Sequence, residues 1–148
     1  MRAVVTRVTE ASVTIEGTVK GTIGEGFLVL LGIHQDDGEA QAVKLADKIC
    51  GLRVFTDENG QMNRSLSDID GNLLVISQFT LYGNCKKGRR PEFLSAARPE
   101  TAIPLYERFL AECQARGFRV ETGEFGAYMQ VHSVNDGPVT LILDTDTL

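Results

Sequence analysis

The stretch NLLVISQFTL, residues 72–81, is the most strand-like segment of the sequence. A run of apolar residues opens it, as is typical of a strand buried on both faces. Its end is different, because an amide and two hydroxyls stand beside Phe79. On a regular strand Ser77 would share a face with Phe79, and Gln78 with Thr80. Unpaired burial would cost about 1–3 kcal/mol per group, so these groups are either satisfied internally or line a pocket.

Further strands are predicted on both sides of this segment. The alternation of MRAVVTRVTE and the continuous apolar run FLVLLGI are typical of a β-meander. A turn at NDGP would separate the last two strands as a hairpin. The expected strands lie at about 2–8, 12–16, 19–23, 27–33, 72–81, 118–122, 128–134 and 139–143.

Two helices are predicted between these strands. Asp36 or Asp37 would cap the first, which runs to about Leu52. Thr101 would cap the second, with Pro104 in its first turn, and a glycine at position 117 would end it. The sequence therefore predicts an α/β fold: one domain, residues 1–148, with a largely antiparallel or mixed β-sheet framework and two main helices packed on it.

Length and composition favour a soluble globular protein and exclude several classes. The chain has 148 residues, of which 43 % are apolar, and its net charge is −5. No apolar run reaches the roughly 20 residues of a membrane helix, and the N-terminus has no signal-peptide pattern. A cytoplasmic location with no membrane partner is the expectation. An acidic chain is not expected to coat nucleic acid, although a local basic patch could still hold one end of it.

Common catalytic and metal-binding patterns are absent from the sequence. The only histidines, His34 and His132, are far apart, and no cysteine pair has zinc-ligand spacing. Neither a phosphate-binding glycine loop nor a nucleophile elbow is present. Cys50 and Cys113 fall at apolar helix positions and are expected in the core, whereas Cys85 precedes a basic run. No metal and no cofactor is predicted.

Two segments together resemble a known family, the D-aminoacyl-tRNA deacylases, also called the D-tyrosyl-tRNA deacylase family. They are SQFTL at 77–81 and NDGPVT at 135–140, and the second contains the family's Gly-cisPro element at Gly137-Pro138. The resemblance extends over nearly the whole chain. It includes MRAVVTRVTEASVTIEG, KICGLRVFTDENGQMNRSL, KKGRRPEF and GEFGAYMQVHSVNDGPVT, in the order of the family.

The resemblance implies a carboxylic ester hydrolase with a three-layer α/β/β fold. Its substrate would be the ester between a D-amino acid, or mischarged glycine, and the 3′-terminal adenosine of tRNA. It further implies a homodimer with active sites at the interface, where Gly137-Pro138 of each protomer reaches into the other's pocket and excludes L side chains. Catalytic residues would be Ser77, Gln78, Phe79 and Thr80, substrate would also contact Phe125 and Met129, and tRNA phosphates would contact Lys86, Lys87, Arg89 and Arg90.

Several alternatives stay open at the level of sequence. The Thr80 hydroxyl could attack the ester, but it would need a base. Otherwise the 2′-OH of the terminal ribose would orient the attacking water. A non-catalytic module that binds the tRNA 3′ end, and a structural dimer in which the polar residues after Ile76 bond to one another, would also explain the pattern.

Overall fold

A computed structural model describes all residues of the chain, 1–148, as a single α/β domain built mainly of sheet. Eight strands, two α-helices and one short 3₁₀ turn follow one another along the chain. The strands are β1 (Arg2–Ile15), β2 (Thr18–Ile23), β3 (Gly26–Gly32), β4 (Phe55–Thr56), β5 (Met62–Arg64), β6 (Asn72–Ser77), β7 (Val120–Thr122) and β8 (Gln130–Asp144). The helices are α1 (Glu39–Cys50) and α2 (Pro99–Ala115), and the 3₁₀ turn is Phe79–Tyr82.

The main sheet is mixed and nearly closes into a barrel. β1 pairs antiparallel with β8 along one edge, and with β3 and then β2 along the other. β3, β6 and β7 follow in parallel order. The sheet curls until its two end strands, β2 and β7, lie close together. At that point Arg119 beside β7 donates to the Thr22 carbonyl of β2 at 3.2 Å. The carboxyl ends of β3 and β6 therefore open side by side, at Gly32 and Ser77.

Each face of the curled sheet carries its own hydrophobic core. The larger core lies between the sheet and the two helices, with Phe27, Leu45 and Phe109 at its centre. The smaller core lies inside the curl and includes Val13 and Ile76. Neither helix is long and apolar enough to span a bilayer.

The helix starts differ from the prediction. α1 begins after Gly38 rather than at an aspartate cap, because the Asp37 carboxylate is already occupied. It accepts from the His34 N–H at 2.7 Å and from the α-ammonium of Met1 at 2.8 Å. α2 begins two residues before Thr101, with Pro99 at its first position, where a fixed φ suits a helix start.

Pro104 is also placed differently, since it lies inside α2 and not in its first turn. It has no N–H to offer to the Glu100 carbonyl. The end of α2 is as predicted: Gly117 has φ +93° and its N–H donates to the Gln114 carbonyl at 2.9 Å. This left-handed residue closes the helix and turns the chain toward β7.

Three strand assignments also change. The predicted strands 2–8 and 12–16 are one continuous strand, β1. The predicted hairpin at NDGP does not form, because β8 stays paired with β1 on both sides of it. The predicted strand 72–81 ends at Ser77. The last two changes involve the two segments that carried the family resemblance.

Candidate active site

The polar end of β6 is a tight turn and not a strand. The Gln78 N–H still donates to the Leu31 carbonyl of β3 at 2.8 Å, and the chain then enters the 3₁₀ turn. The turn packs directly on Gly32, where an added Cβ would lie 3.0 Å from Cβ of Leu81 and 3.1 Å from the Gln78 carbonyl oxygen. The predicted strand geometry after Ser77 is therefore wrong, and Gln78 lines the same pocket as Ser77 and Phe79. The period of two ends where the strand ends.

A pocket of about 250 Å³ opens at this point of the sheet. It brings together two segments that are almost 50 residues apart in sequence, the end of β6 and the loop before β8. Five predicted site residues line it: Ser77, Gln78, Phe79, Phe125 and Met129. The pocket thus joins the first predicted motif to Phe125 and Met129, the two side chains expected to contact substrate.

The remaining walls of the pocket were not predicted from sequence. They are mostly small or apolar residues: Leu31, Ile33, Ile76, Ala97, Ala102, Gly126, Ala127, Tyr128 and Val131. Tyr128 is 88 % exposed at the rim, an unusual position for a large aromatic ring. The alternation of small residues with Phe125 and Tyr128 in GEFGAYM was a usable signal, since it suits neither a buried strand nor a helix.

Thr80, which was predicted as a catalytic residue, lies outside the pocket lining, and its hydroxyl bonds to a neighbouring side chain. It accepts a hydrogen bond from the side-chain amide of Gln78. Apart from the phenol of Tyr128, no titratable side chain lines the pocket. His34 packs against the Tyr82 ring, and His132 is exposed beside Glu10, so neither histidine converges on Ser77. No titratable side chain forms a hydrogen bond with the Thr80 hydroxyl, whose one side-chain partner is the Gln78 amide.

Tyr106 of α2 contacts both chain segments that form the pocket. Its hydroxyl donates to the Val75 carbonyl of β6 at 2.7 Å, and its ring lies 6.0 Å from that of Phe125. Burial raises the pKa of Tyr106 to about 12, which keeps the phenol protonated as a donor. One side chain therefore positions both segments that form the pocket.

Gly137 and Pro138 do not line this pocket within the chain. The register of β1 and β8 shifts between the pair Thr6–Thr140 and the pair Val8–Asn135, so residues 136–139 form a bulge. The Asn135 side chain closes the base of the bulge, where it donates to the Thr140 hydroxyl at 3.0 Å and accepts from the Val139 N–H at 3.1 Å. The Gly137-Pro138 peptide bond is cis, and both residues are exposed.

A buried arginine, which the sequence reading missed, lies under the bulge. Arg7 of β1 is only 7 % exposed. It donates to the Val54 carbonyl at 2.6 Å and to the Asp136 carbonyl at 3.1 Å, and its Nε lies 3.4 Å from the Asp136 carboxylate. The usable signal was a lone charge at a position where the alternation of β1 predicts a buried side chain.

The four basic residues predicted to contact phosphates lie together on one exposed loop. Asn84 and Glu92 close this loop through two backbone hydrogen bonds of 2.8 and 3.0 Å. Lys86, Lys87, Arg89 and Arg90 are exposed, and none of them forms a salt bridge. The loop thus presents four basic side chains without salt bridges on a chain whose net charge is −5.

The cysteines are placed as expected. Cys50 and Cys113 are buried between the helices, and Cys85 is exposed. The hydrogen bond to Cys50, together with burial, raises the pKa of the Cys113 thiol, so that thiol stays protonated.

Comparisons with known proteins identify the family of this chain. The family model described as D-Tyr-tRNA(Tyr) deacylase matches residues 4–144. A D-aminoacyl-tRNA deacylase of Exiguobacterium sibiricum is 60 % identical over 144 residues, which are 97 % of this chain and 99 % of that protein. One from Thermus aquaticus is 59 % identical over 145 residues, 98 % of this chain and 95 % of that protein.

A solved structure shares the fold closely. It is named c-Myc DNA Unwinding Element Binding Protein, and it matches with a TM-score of 0.92 and 44 % sequence identity. The match covers 98 % of this chain and 99 % of that protein. The family model and both relatives extend over almost the whole chain, including the pocket and the bulge. This chain belongs to the D-aminoacyl-tRNA deacylase family.

Proposed function

We propose that this protein hydrolyses the ester that joins a D-amino acid, or mischarged glycine, to the 3′-terminal adenosine of tRNA. Family membership supports the reaction, and its relatives carry that activity in their names. The observation that carries the proposal is the pocket that joins Ser77 and Gln78 to Phe125 and Met129. Its volume of about 250 Å³ lies just below the range of about 300–1,000 Å³ that is typical of ligand pockets. That size suits only part of the aminoacyl-adenosine end of the substrate, with the rest lying at the pocket mouth.

The absence of a side-chain base at the pocket favours assistance by the substrate. On this proposal the 2′-OH of the terminal ribose orients a water molecule, whose oxygen attacks the ester carbonyl. The bond between the acyl carbon and the 3′ oxygen breaks, and a proton from the water goes to that oxygen. Ser77, Gln78 and the Phe79 backbone hold the adenosine and polarise the carbonyl. The enzyme then contributes mainly positioning.

Rejection of L-amino acids is assigned to Gly137-Pro138 of a second copy of the chain. In support, both residues are exposed and lie outside the pocket of their own chain. One edge of β8 pairs with no strand, and Val131, Val134 and Ile142 on this strand are 40 %, 42 % and 74 % exposed. A long edge strand with exposed apolar residues is a surface that proteins normally cover. We propose a homodimer that covers it and brings each bulge to the partner's pocket.

In that site a main-chain wall would stand where an L side chain would go, and carbonyls of the bulge would bind the α-ammonium. The wall would be indifferent to side-chain identity, which suits an enzyme that accepts many D-amino acids. Lys86, Lys87, Arg89 and Arg90 would contact tRNA phosphates. The whole chain, residues 1–148, would form this one catalytic domain, and it would work in the cytoplasm, where tRNA is charged.

The deciding experiment is a deacylation assay with D-tyrosyl-, L-tyrosyl- and glycyl-tRNA. Hydrolysis of the D-ester and the glycyl ester, with the L-ester spared, is expected. Equal rates for D- and L-esters would contradict the proposal, and tight binding of tRNA without turnover would favour the binding-module alternative.

A pocket-filling variant ties the activity to this site. Ala127→Leu places extra carbons on the pocket lining, whereas Ala40→Leu makes the same change on an exposed helix position. We expect Ala127→Leu to lower kcat/KM and Ala40→Leu to leave it unchanged. Equal effects of the two changes would separate the reaction from the pocket.

A further inference from the structure

Beside the pocket lies a second aromatic surface that the proposed chemistry does not use. Phe79 is 57 % exposed, and its ring lies 5.1 Å from that of Phe93 at an interplanar angle of 75°. Phe93 does not line the pocket; its ring packs over Gly83, where an added Cβ would lie 3.0 Å from it. We call these two rings the aromatic ledge. Phe79 is exposed and Phe93 is half-buried, so the pair presents an aromatic surface that a ligand could contact.

The ledge connects the pocket to the positive loop. Phe79 lines the pocket at one end, and Phe93 directly follows Glu92, which closes the loop at the other. Next to Phe93 lies a hollow of about 300 Å³, lined by Asn84, Lys86, Lys87, Glu92 and Leu94. Leu94 is 83 % exposed at its edge. A pocket for a nucleoside, two aromatic rings and a hollow with two lysines thus follow one another along the surface.

This order of features matches the chemistry of a single-stranded nucleic acid. Proteins bind unpaired strands by stacking bases on aromatic rings while cationic side chains follow the phosphates. The cations of the loop are free for that purpose, since none forms a salt bridge and the Glu92 carboxylate accepts from the Leu94 N–H at 2.8 Å. A protein partner would be expected to meet a larger apolar patch with fewer free charges.

We propose that the aromatic ledge stacks the base of the nucleotide that precedes the terminal adenosine, with its phosphates directed toward Lys86 and Lys87. This inference rests on the proposed function, because the ester in the pocket fixes where the strand begins. The ledge is a binding site for the unpaired 3′ end and takes no part in the bond cleavage. It gives the enzyme a grip on nucleic acid that is tolerant of base identity.

The test is a two-by-two cycle with Phe93→Leu and an abasic nucleotide. The substrates are a D-aminoacylated acceptor-stem minihelix, the same minihelix with an abasic penultimate position, and D-aminoacyl-adenosine alone. Stacking of a base on one aromatic ring contributes about 5- to 160-fold in affinity. We expect Phe93→Leu and the abasic change each to raise KM for the minihelix about tenfold, within the range for one stacked base. Together they should raise it no further, with kcat unchanged.

Three controls separate stacking from a structural effect. Hydrolysis of D-aminoacyl-adenosine should be equal in wild type and Phe93→Leu, and Phe93→Tyr, which keeps a ring, should restore the KM of wild type. Val19→Ala removes another exposed apolar side chain, 58 % exposed on β2, and should change nothing.

Replacing Lys86 and Lys87 by Gln should reduce the salt dependence of binding by roughly 0.7 in log–log slope for each lost phosphate contact.

Specific outcomes would overturn the proposal. An abasic penalty that is as large in Phe93→Leu as in wild type means that the ring does not stack the base. A loss of D-aminoacyl-adenosine hydrolysis in Phe93→Leu means that Phe93 only supports the pocket. If wild type hydrolyses no D-ester, the proposed function fails on its own. The same cycle is then measured as binding of the uncharged minihelix, where the absence of coupling rejects the ledge.

Discussion

The turn after β6 and the bulge of β8 both interrupt a strand with polar residues, yet the fold holds them in different ways. The turn packs on Gly32 and surrounds its polar groups with a mostly apolar pocket. The bulge is exposed, and it is fixed from beneath by the buried guanidinium of Arg7. One segment depends on close contact between backbones, and the other depends on a buried charge.

Because the two segments are held in different ways, mutations in them should differ in their effects on stability and activity. Changes at the bulge should affect both stability and activity, because its position depends on a few strong hydrogen bonds and on one buried apolar side chain, Val139. Single polar changes near the turn should be milder, since the turn is also held by the strand that precedes it and by α2. Matched mutations in the two segments test whether this difference exists.

The largest effect is expected from Gly137→Ala. Gly137 has φ +122°, and an added Cβ would lie 2.8 Å from Nη2 of Arg7 and 3.0 Å from Cγ2 of Val139. The bulge would have to move, and a displacement of about 1 Å at a site commonly costs about 100-fold in rate. We expect kcat/KM for a D-aminoacyl-tRNA to fall by about that factor.

The matched control is Gly24→Ala, because a Cβ there meets no atom within 4 Å. It should leave kcat/KM unchanged. Wild-type kinetics for Gly137→Ala would show that the bulge has room to adapt, and the contrast with the turn would then be lost.

Arg7→Met should produce the next largest effect, on stability. Methionine keeps much of the apolar stem but leaves the buried Val54 carbonyl without its donor. Hydrogen bonds to charged groups contribute about 1.5–3 kcal/mol each, and we expect the free energy of unfolding in urea to fall by about 2–3 kcal/mol. Arg98→Met, at an arginine whose side chain is 84 % exposed, should change it by less than about 0.5 kcal/mol. Equal losses would mean that Arg7 does not anchor the bulge.

Much of the fold was predictable from local pattern. The alternation in β1, the apolar run of β3 and the apolar start of β6 identify the sheet, and Gly117 identifies the end of α2. The pocket residues Ser77 and Phe125 were reached through family resemblance, because nothing in local pattern joins segments so distant in sequence. The correct strand and helix predictions, in contrast, rest on features that each segment carries within itself.

Three of the errors involve partners distant in sequence. Asp37 has the residue type of a helix cap, but it bonds to the α-ammonium of Met1. The residues NDGP have the composition of a hairpin turn, but β1 pairs with the chain on both sides of them. The strand at 72–81 stops early because Gly32 of β3 admits the following turn. Local sequence contains none of this information.

Tyr106→Phe tests the pocket side of the comparison and should have a smaller effect. The change removes only the hydroxyl that donates to the Val75 carbonyl at 2.7 Å. A neutral hydrogen bond contributes about 1 kcal/mol, so we expect that loss in the free energy of unfolding.

The pH dependence of Tyr106 supplies a second readout. Because the pKa is raised to about 12 in the folded protein, the contribution is complete below the ordinary value near 10 and is lost as the pH rises through about 12. Tyr106→Phe should lack that part of the alkaline decline. An identical decline in both proteins would assign it to other groups.

The smallest effect is expected from Thr80→Val, which nevertheless decides the most about mechanism. The hydroxyl of Thr80 accepts from the Gln78 amide, lies outside the pocket lining and forms no hydrogen bond with a titratable side chain. Its removal leaves the shape of the turn nearly unchanged, and we expect single-turnover hydrolysis of a D-aminoacyl-tRNA within about twofold of wild type, as for surface changes of about 0.5 kcal/mol or less. If the Thr80 hydroxyl were the nucleophile, its removal would abolish the covalent step and the rate of hydrolysis would fall by orders of magnitude.

A matching change on the substrate completes this test. A tRNA that ends in 2′-deoxyadenosine keeps the ester and the enzyme intact but removes the hydroxyl proposed to orient water. Strong slowing with that substrate, together with full activity of Thr80→Val, would place the assisting group on the tRNA. The reverse pattern would return it to Thr80. The turn after β6 would then be a site of chemistry, and its contrast with the bulge would lie in function as well as in packing.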